Sequence, residues 1–137
     1  MDSQSVFKWT SVGDLLISCA RGPVQADSWQ GYLKELADNP YTRVLATIPA
    51  PMELSSAQRT AGYTAVKGKK FKVALVTDER LVRGMATAAS WMGVDVKPFA
   101  WNELRTAINY LGITGAAEDR TYTRTLDLRN EVMLKKP

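Results

Sequence analysis

The stretch from Phe71 to Ile113 constrains the fold most strongly, because it alternates between two kinds of secondary structure. Phe71–Thr77 is a short apolar run, as a strand buried on both faces produces. A pattern of helical spacing follows it, then a second apolar run at Val94–Phe99 and a second helical pattern that Gly112 ends. The sequence therefore predicts a strand–helix–strand–helix unit, the building block of a parallel α/β sheet.

Each helix of this unit has a predicted apolar face. In the first helix, which Asp78 is predicted to cap and Gly93 to end, that face consists of Leu81, Met85, Ala88 and Met92. In the second helix, which Asn102 is predicted to cap, the face consists of Leu104, Ala107, Ile108 and Leu111. We expect both faces to pack against the sheet.

The N-terminal segment predicts a β-hairpin. Val6–Val12 and Leu15–Ala20 are strand-like runs joined at Gly13-Asp14, a short connection that contains glycine. The glycine and proline of Arg21–Pro23 are expected to end the second strand, and Met1–Ser5 is expected to be a loose end.

Two helices and a strand are predicted between this hairpin and Phe71. The first helix begins near Asp27, which has Gln30 at capping-box spacing, and its core stripe is Trp29, Tyr32, Leu33 and Leu36. Thr42–Ile48 predicts the third strand, which Pro49 and Pro51 end. Ser55 and Gln58 form a second capping box, and the helix that follows is expected to bury Ala57, Ala61 and Ala65 and to expose Arg59, Tyr63 and Lys67.

These elements predict an α/β domain over residues 1–113, with a mixed, largely parallel five-stranded sheet and about four helices. Residues 114–137 form a C-terminal extension whose pattern fits either a strand or a helix. Two interpretations of this extension stay open: a frayed or loosely docked tail, or an arm that packs on a partner or on a second copy.

Composition excludes several functions. The 137 residues contain no histidine and one cysteine, Cys19, and they carry a formal net charge of +4. We therefore predict no enzyme, no metal site and no cofactor, although Asp78, Glu79 or lysines could still serve an enzyme of another type. The lysine cluster at 67–72 is interpreted as a solvated loop, so nucleic acid is an unexpected partner. The absence of a membrane-length apolar run and of a visible signal peptide predicts a cytoplasmic protein.

The second half of the chain, VALVTDERLVRGMATAASWMGVDVKPFAWNELRTAINYLGI, together with the order of the elements, resembles the SpoIIAA-like group of STAS-type proteins, the anti-sigma-factor antagonists and their relatives. The resemblance covers roughly residues 6–113 and implies a STAS-like fold without catalytic residues. In the antagonists, an Asp-Ser-Ser/Thr-Gly loop before the second helix is phosphorylated to release a partner. Both serines are present here as Ser55 and Ser56, but Leu54 and Ala57 replace the Asp and the Gly.

The resemblance implies a regulatory, bacterial protein-binding module that uses the loop after the third strand and the second helix. Trp91 adds a possible anchor, because tryptophan is enriched at interfaces, although packing against a neighbouring helix would also explain it. The predicted partner surface comprises Ser55, Ser56, Arg59, Tyr63, Lys67 and Trp91, with Ser55 and Ser56 as candidate phosphorylation sites. The alternative is a sensor that binds a small molecule or lipid in a cleft between sheet and helices, and a homodimer is a further possibility.

Overall fold

The computed structural model describes residues 6–134, so the predicted loose end at Met1–Ser5 lies outside the described residues. The strands are β1 (Val6–Val12), β2 (Leu15–Pro23), β3 (Arg43–Ile48), β4 (Met52–Glu53), β5 (Lys72–Thr77) and β6 (Val96–Phe99). The helices are α1 (Ala26–Asp38), α2 (Ser56–Lys69), α3 (Arg80–Trp91), α4 (Leu104–Tyr110) and α5 (Gly115–Leu134), with a 3-10 turn at Trp101–Glu103 before α4.

The sheet has the strand order β1-β2-β3-β5-β6. Strands β2, β3, β5 and β6 are parallel, and β1 is antiparallel to β2. The hairpin turn holds Gly13 at φ +59°, a left-handed conformation that glycine adopts at little cost. The α/β class and the mixed, largely parallel sheet are therefore confirmed.

Strand β2 is longer than predicted. It does not end at Ala20 but continues to Pro23, because the chain after β3 folds back and pairs with it through β4. The Gly22 N–H donates to the Pro51 carbonyl at 2.7 Å, which is possible because proline lacks a donor but keeps its acceptor. The prolines after β3 therefore end that strand without preventing a further pairing.

Helices α4 and α5 cover one face of the sheet with a continuous apolar core. The predicted face of the last helix of the α/β unit is confirmed, since Leu104, Ala107, Ile108 and Leu111 are all buried there. Asn102 does not cap this helix. The helix is preceded by the 3-10 turn, and the Glu103 carboxylate accepts from the Ala100 N–H at 2.9 Å.

The segment after Ile113, which the sequence left open between strand and helix, is the 20-residue helix α5. It packs on the sheet of its own chain, with Thr121, Thr125, Leu128 and Val132 buried. The frayed-tail interpretation is therefore wrong for residues 115–134. The helix is difficult to recognise because two of its four buried residues are threonines, which do not register as an apolar stripe.

Helix α1 covers the opposite face of the sheet near β1 and β2. Its predicted core stripe is confirmed, because Tyr32 and Leu36 are buried and Trp29 and Leu33 pack against the same cluster. Asp27 does not cap α1. The N-cap residue is Gln25, whose side chain makes no capping hydrogen bond.

Candidate functional site

An apolar cavity of about 350 Å³ lies between the sheet and helices α1, α2 and α3; we call it the α2–α3 cleft. Its floor is formed by side chains of the parallel strands, namely Ala46, Val73, Leu75 and Val96. Its helical walls include Trp29 and Tyr32 on α1, Gly62, Tyr63 and Val66 on α2, and Val82, Met85, Ala86 and Ala89 on α3. A cavity of roughly 300–1,000 Å³ with an apolar lining has the size and character of small-molecule sites.

Helix α2 closes one side of the cleft without packing tightly onto the sheet. None of its residues is fully buried. The Trp29 Nε1–H donates to the Gln58 carbonyl at 3.0 Å, and the Gln58 side chain donates to the Val24 carbonyl at 2.9 Å. Gly62 lies against the Trp29 ring, so closely that a Cβ at Gly62 would stand 2.8 Å from Cζ2 of the indole. Hydrogen bonds to α1 and to the residues just before it, together with one close ring contact, therefore hold α2 in place.

The predicted inner face of α2 is wrong. Ala57, expected in the core, is exposed, and Ala61 and Ala65 are half-buried. Arg59 and Lys67 are exposed, as expected, whereas Tyr63 is half-buried. Arg59 and Tyr63 also line the cleft. The prediction failed because it placed the three alanines in the core, whereas no residue of α2 is buried there.

The predicted core stripe of α3 is also wrong. Leu81, Met85 and Met92 are 77%, 43% and 63% exposed, and Trp91 is 82% exposed. We call these four side chains the α3 patch. The face of α3 that turns towards the sheet carries smaller residues, Val82, Ala86 and Ala89, of which Ala86 is buried. The largest apolar side chains of this helix therefore face solvent, as is typical of binding surfaces.

The capping box that begins α2 is confirmed at Ser55, and the second candidate serine, Ser56, is bonded to Arg59. The Ser55 Oγ accepts from the Gln58 N–H at 3.1 Å, while the Gln58 side chain accepts from the Ser55 N–H at 2.8 Å. The Ser56 Oγ accepts from the Arg59 guanidinium at 3.1 Å, and Arg59 also donates to the Leu54 carbonyl at 2.7 Å. Both serines are exposed. Arg59 thus links the loop that precedes α2 to the first turn of that helix.

Tyr63 and Lys67 lie at the other end of the cleft, next to the α3 patch. The Tyr63 hydroxyl donates to the Met92 carbonyl at 3.3 Å and so links α2 to the C-terminal end of α3. The Lys67 ammonium donates to the same hydroxyl at 3.4 Å and lies 5.6 Å from the ring centroid. The structure therefore brings Tyr63 and Lys67 close to Met92, beside Trp91, and leaves Ser55 and Ser56 at the opposite end of α2.

The polar groups inside the cleft are paired with one another. The Tyr32 hydroxyl donates to the Ser18 Oγ at 3.3 Å, and the Thr47 hydroxyl donates to the Ser18 carbonyl at 2.7 Å. Burial raises the pKa of the Tyr32 phenol to about 12, so this hydroxyl stays protonated at neutral pH. The lining therefore presents an apolar surface, with Arg59 as a charged side chain of that lining.

The charges on α2 and α3 have one sign. Three basic side chains lie on α2 (Arg59, Lys67 and Lys69) and two on α3 (Arg80 and Arg83), and neither helix contains a carboxylate. A surface of this kind attracts acidic groups and repels basic ones.

The strand-end carboxylates have structural contacts rather than a shared site. Asp78 does not cap α3, whose N-cap residue is Glu79. The Asp78 carboxylate instead accepts from the Trp101 N–H at 3.0 Å, at the start of the 3-10 turn. Asp14 lies at the other end of the sheet and pairs with Arg43. Within residues 6–134, no group of three or more Cys, Asp or Glu side chains could hold a metal ion, and no helix is long and apolar enough to span a bilayer.

Comparison with known proteins shows the fold. No protein-family model matches the chain, and no curated protein matches it. A solved structure is similar: an uncharacterized protein of the DUF3478 family with a SpoIIAA-like fold, from Shewanella loihica PV-4. The two chains are 18% identical, the alignment covers 81% of this chain and 95% of that one, and the TM-score is 0.52. The SpoIIAA-like, STAS-like fold predicted from the sequence is therefore confirmed.

Proposed function

We propose that this protein is a non-enzymatic regulatory module that binds another protein through the α3 patch and the adjoining rim of α2. The observation that carries the proposal is the exposure of Leu81, Met85 and Trp91 on α3 and of Met92 at its C-cap. A few residues supply most of the binding energy at a protein interface, and tryptophan is enriched among them, so Trp91 is the expected anchor. The resemblance to anti-sigma-factor antagonists supports a role in a bacterial signalling or partner-switching system.

The partner surface is expected to combine apolar side chains with carboxylates. Its apolar side chains would cover the α3 patch and enter the mouth of the α2–α3 cleft. Its carboxylates would meet the basic side chains of α2 and α3, which lack acidic neighbours on their own helices. The proposed interface is centred on α3, whereas the sequence analysis centred it on α2. Tyr63, Lys67 and Trp91 belong to both.

Phosphorylation of Ser55 or Ser56 would act at the edge of this surface. A phosphate on Ser56 would lie next to the Arg59 guanidinium, which already contacts the Ser56 Oγ at 3.1 Å. The added negative charge would weaken an acidic partner's binding. Binding of the same partner to Ser55→Glu and Ser56→Glu variants, each against its Ala counterpart, tests this regulatory step.

The proposal is tested by capture of partners from the native lysate with wild type, Leu81→Ser and Trp91→Ser, followed by titration of the recovered protein in purified form. Leu134→Ser is the matched control, since Leu134 is 75% exposed and Leu81 is 77% exposed. We expect a partner that binds wild type and Leu134→Ser and binds the two α3 variants at least about 10-fold more weakly. A partner that binds all four proteins equally would refute the α3 patch as the interface.

A second candidate function is the binding of a small apolar ligand or an acyl chain, which the 350 Å³ cavity favours. Ala46→Leu would fill part of the cleft floor, and Ala88→Leu makes the same change on an exposed part of α3. If the cleft binds decanoate, titration with this fatty acid should raise the melting temperature of wild type and of Ala88→Leu, and not of Ala46→Leu. An equal effect on all three proteins would place decanoate outside the cleft.

A further inference from the structure

The two edges of the sheet differ in how they are protected from pairing with other strands. Strand β6 has four residues, VKPF, and contains both Lys97 and Pro98. Short length, lysine and proline are the devices by which natural proteins block an exposed edge. The β6 edge is therefore unsuited to further pairing.

Strand β1 lacks most of these devices. It is seven residues long, VFKWTSV, contains no proline, and pairs with β2 in an unbroken register from Val6 to Val12 without a bulge. No strand lies beyond β1 within residues 6–134. Its one charged residue, Lys8, is turned towards α5, where its ammonium lies 3.4 Å from the Glu131 carboxylate. An edge of this length and composition is expected to be covered by another strand.

The helix beside this edge carries an ordered pattern of charge. Helix α5 runs antiparallel to β1, because Arg124 reaches the Thr10 hydroxyl at 3.0 Å and Glu131 reaches Lys8. A groove of about 560 Å³ between strand and helix is lined by both pairs and by Asp127. Within the described residues, Arg124 has no carboxylate partner and the exposed Asp127 has no hydrogen-bond partner. The rim therefore has a guanidinium without a carboxylate partner at the Thr10 level and a carboxylate paired with the Lys8 ammonium at the Lys8 level.

We propose that a second copy of this chain covers the edge by pairing its β1 antiparallel to β1, about a two-fold axis at Trp9. In that register residue 8 of one copy faces residue 10 of the other. The Glu131 end of each rim therefore lies beside the Arg124 end of the other, which brings each Arg124 guanidinium near a Glu131 carboxylate of the other copy. The two sheets join into one continuous sheet, and the α3 patch, on the helix that packs on β5 and β6 at the opposite end of the sheet, stays accessible on both copies.

Sedimentation velocity over a range of protein concentrations tests this dimer. We expect a reversible dimer for wild type, and dissociation constants raised roughly 10- to 100-fold for Arg124→Glu and for Glu131→Arg, because each places like charges opposite one another twice. The double variant Arg124→Glu/Glu131→Arg exchanges the two charges and should return the constant to within about 3-fold of wild type. Arg80→Glu, the same change of charge on α3, is the control and should leave it unchanged.

A second measurement locates the contact independently of these variants. Hydrogen exchange of the β1 amides should slow as the protein concentration rises through the dissociation constant, whereas α3 amides should not respond. A wild-type chain that stays monomeric up to about 1 mM overturns the proposal. The two-fold pairing at Trp9 is overturned if both single variants have the dissociation constant of wild type, or if the double variant dimerises as weakly as the single variants do.

Discussion

Substitution of Gly62 by alanine tests whether α2 is locked against α1 through the Trp29 ring. A Cβ at Gly62 would lie 2.8 Å from Cζ2 and 3.3 Å from Cη2 of that ring. The ring cannot move away freely, because its Nε1–H is bonded to the Gln58 carbonyl on the same helix at 3.0 Å. The new methyl group must therefore displace α2 or break this hydrogen bond.

The expected magnitude follows from two opposing contributions. Replacing a helical glycine by alanine stabilises a helix by about 1 kcal/mol, since alanine loses less backbone entropy. Overpacking a well-filled contact costs about 1–3 kcal/mol. Gly84 in α3 has no atom within 4 Å of its own hypothetical Cβ, so Gly84→Ala receives the helix contribution alone. The free energy of unfolding of Gly62→Ala should therefore be about 1–3 kcal/mol lower than that of Gly84→Ala.

Urea unfolding followed by circular dichroism measures this difference, with wild type and Gly84→Ala alongside. A double-mutant cycle with Trp29→Phe, which removes Cζ2 and Cη2 of the indole, isolates the contact. We expect a coupling energy of at least about 1 kcal/mol between the two positions. If Gly62→Ala stabilises the protein as much as Gly84→Ala does, the Trp29 contact does not hold α2 and the reasoning is refuted.

Three further predictions follow from burial and charge. Burial raises the pKa of the Cys19 thiol to about 11. The folded protein should therefore not react with Ellman's reagent at about pH 8, whereas the protein unfolded in urea should react fully. Rapid reaction of the folded protein would contradict this prediction. The hydrogen bond from Arg43 lowers the pKa of Asp14 below 3.8, so the stability that the ionised carboxylate adds is present above that pH and is lost as the pH falls through the lowered pKa. In Asp14→Asn, the urea midpoint should therefore lose this part of its dependence on acid pH. The expected loss in the free energy of unfolding is less than about 1 kcal/mol, because the side chain is 42% exposed. Leu81→Ser should change the free energy of unfolding by less than about 0.5 kcal/mol, whereas the same change at the fully buried Leu45 should lower it by more than about 3 kcal/mol. Equal losses in the two variants would show that Leu81 is buried in the core.

The elements that form the sheet and its α4 face could be predicted because their signals are local and agree with one another. Phe71–Thr77 is largely apolar, and the mostly buried strand Lys72–Thr77 occupies nearly the same residues. Gly93 and Gly112 adopt φ +95° and +81° just beyond the helices they were predicted to end. The capping box at Ser55 forms as its spacing indicates.

Most of the α3 patch could not be predicted, because it depends on which side of the helix meets the sheet. Helical spacing placed Leu81 and Met92 on one face of α3, but that spacing does not distinguish a face that packs from a face that binds. The sequence reasoning assigned the largest apolar side chains to the core, whereas Val82 and Ala86 face the sheet. A stripe that includes two methionines and lies next to a tryptophan could have suggested a binding surface, since methionine is common at such surfaces.

Sequence change over evolutionary time should fall unevenly on the two faces of this sheet. Most substitutions at Leu128, Val132 or Ile108 would disrupt a filled core and lower stability. Gly62 apart, substitutions along α2, where no residue is fully buried, meet few neighbours and cost little. Related proteins with this fold should therefore keep their α4 and α5 packing and differ most in α2 and α3, so that one scaffold can acquire new binding specificities without losing its structure.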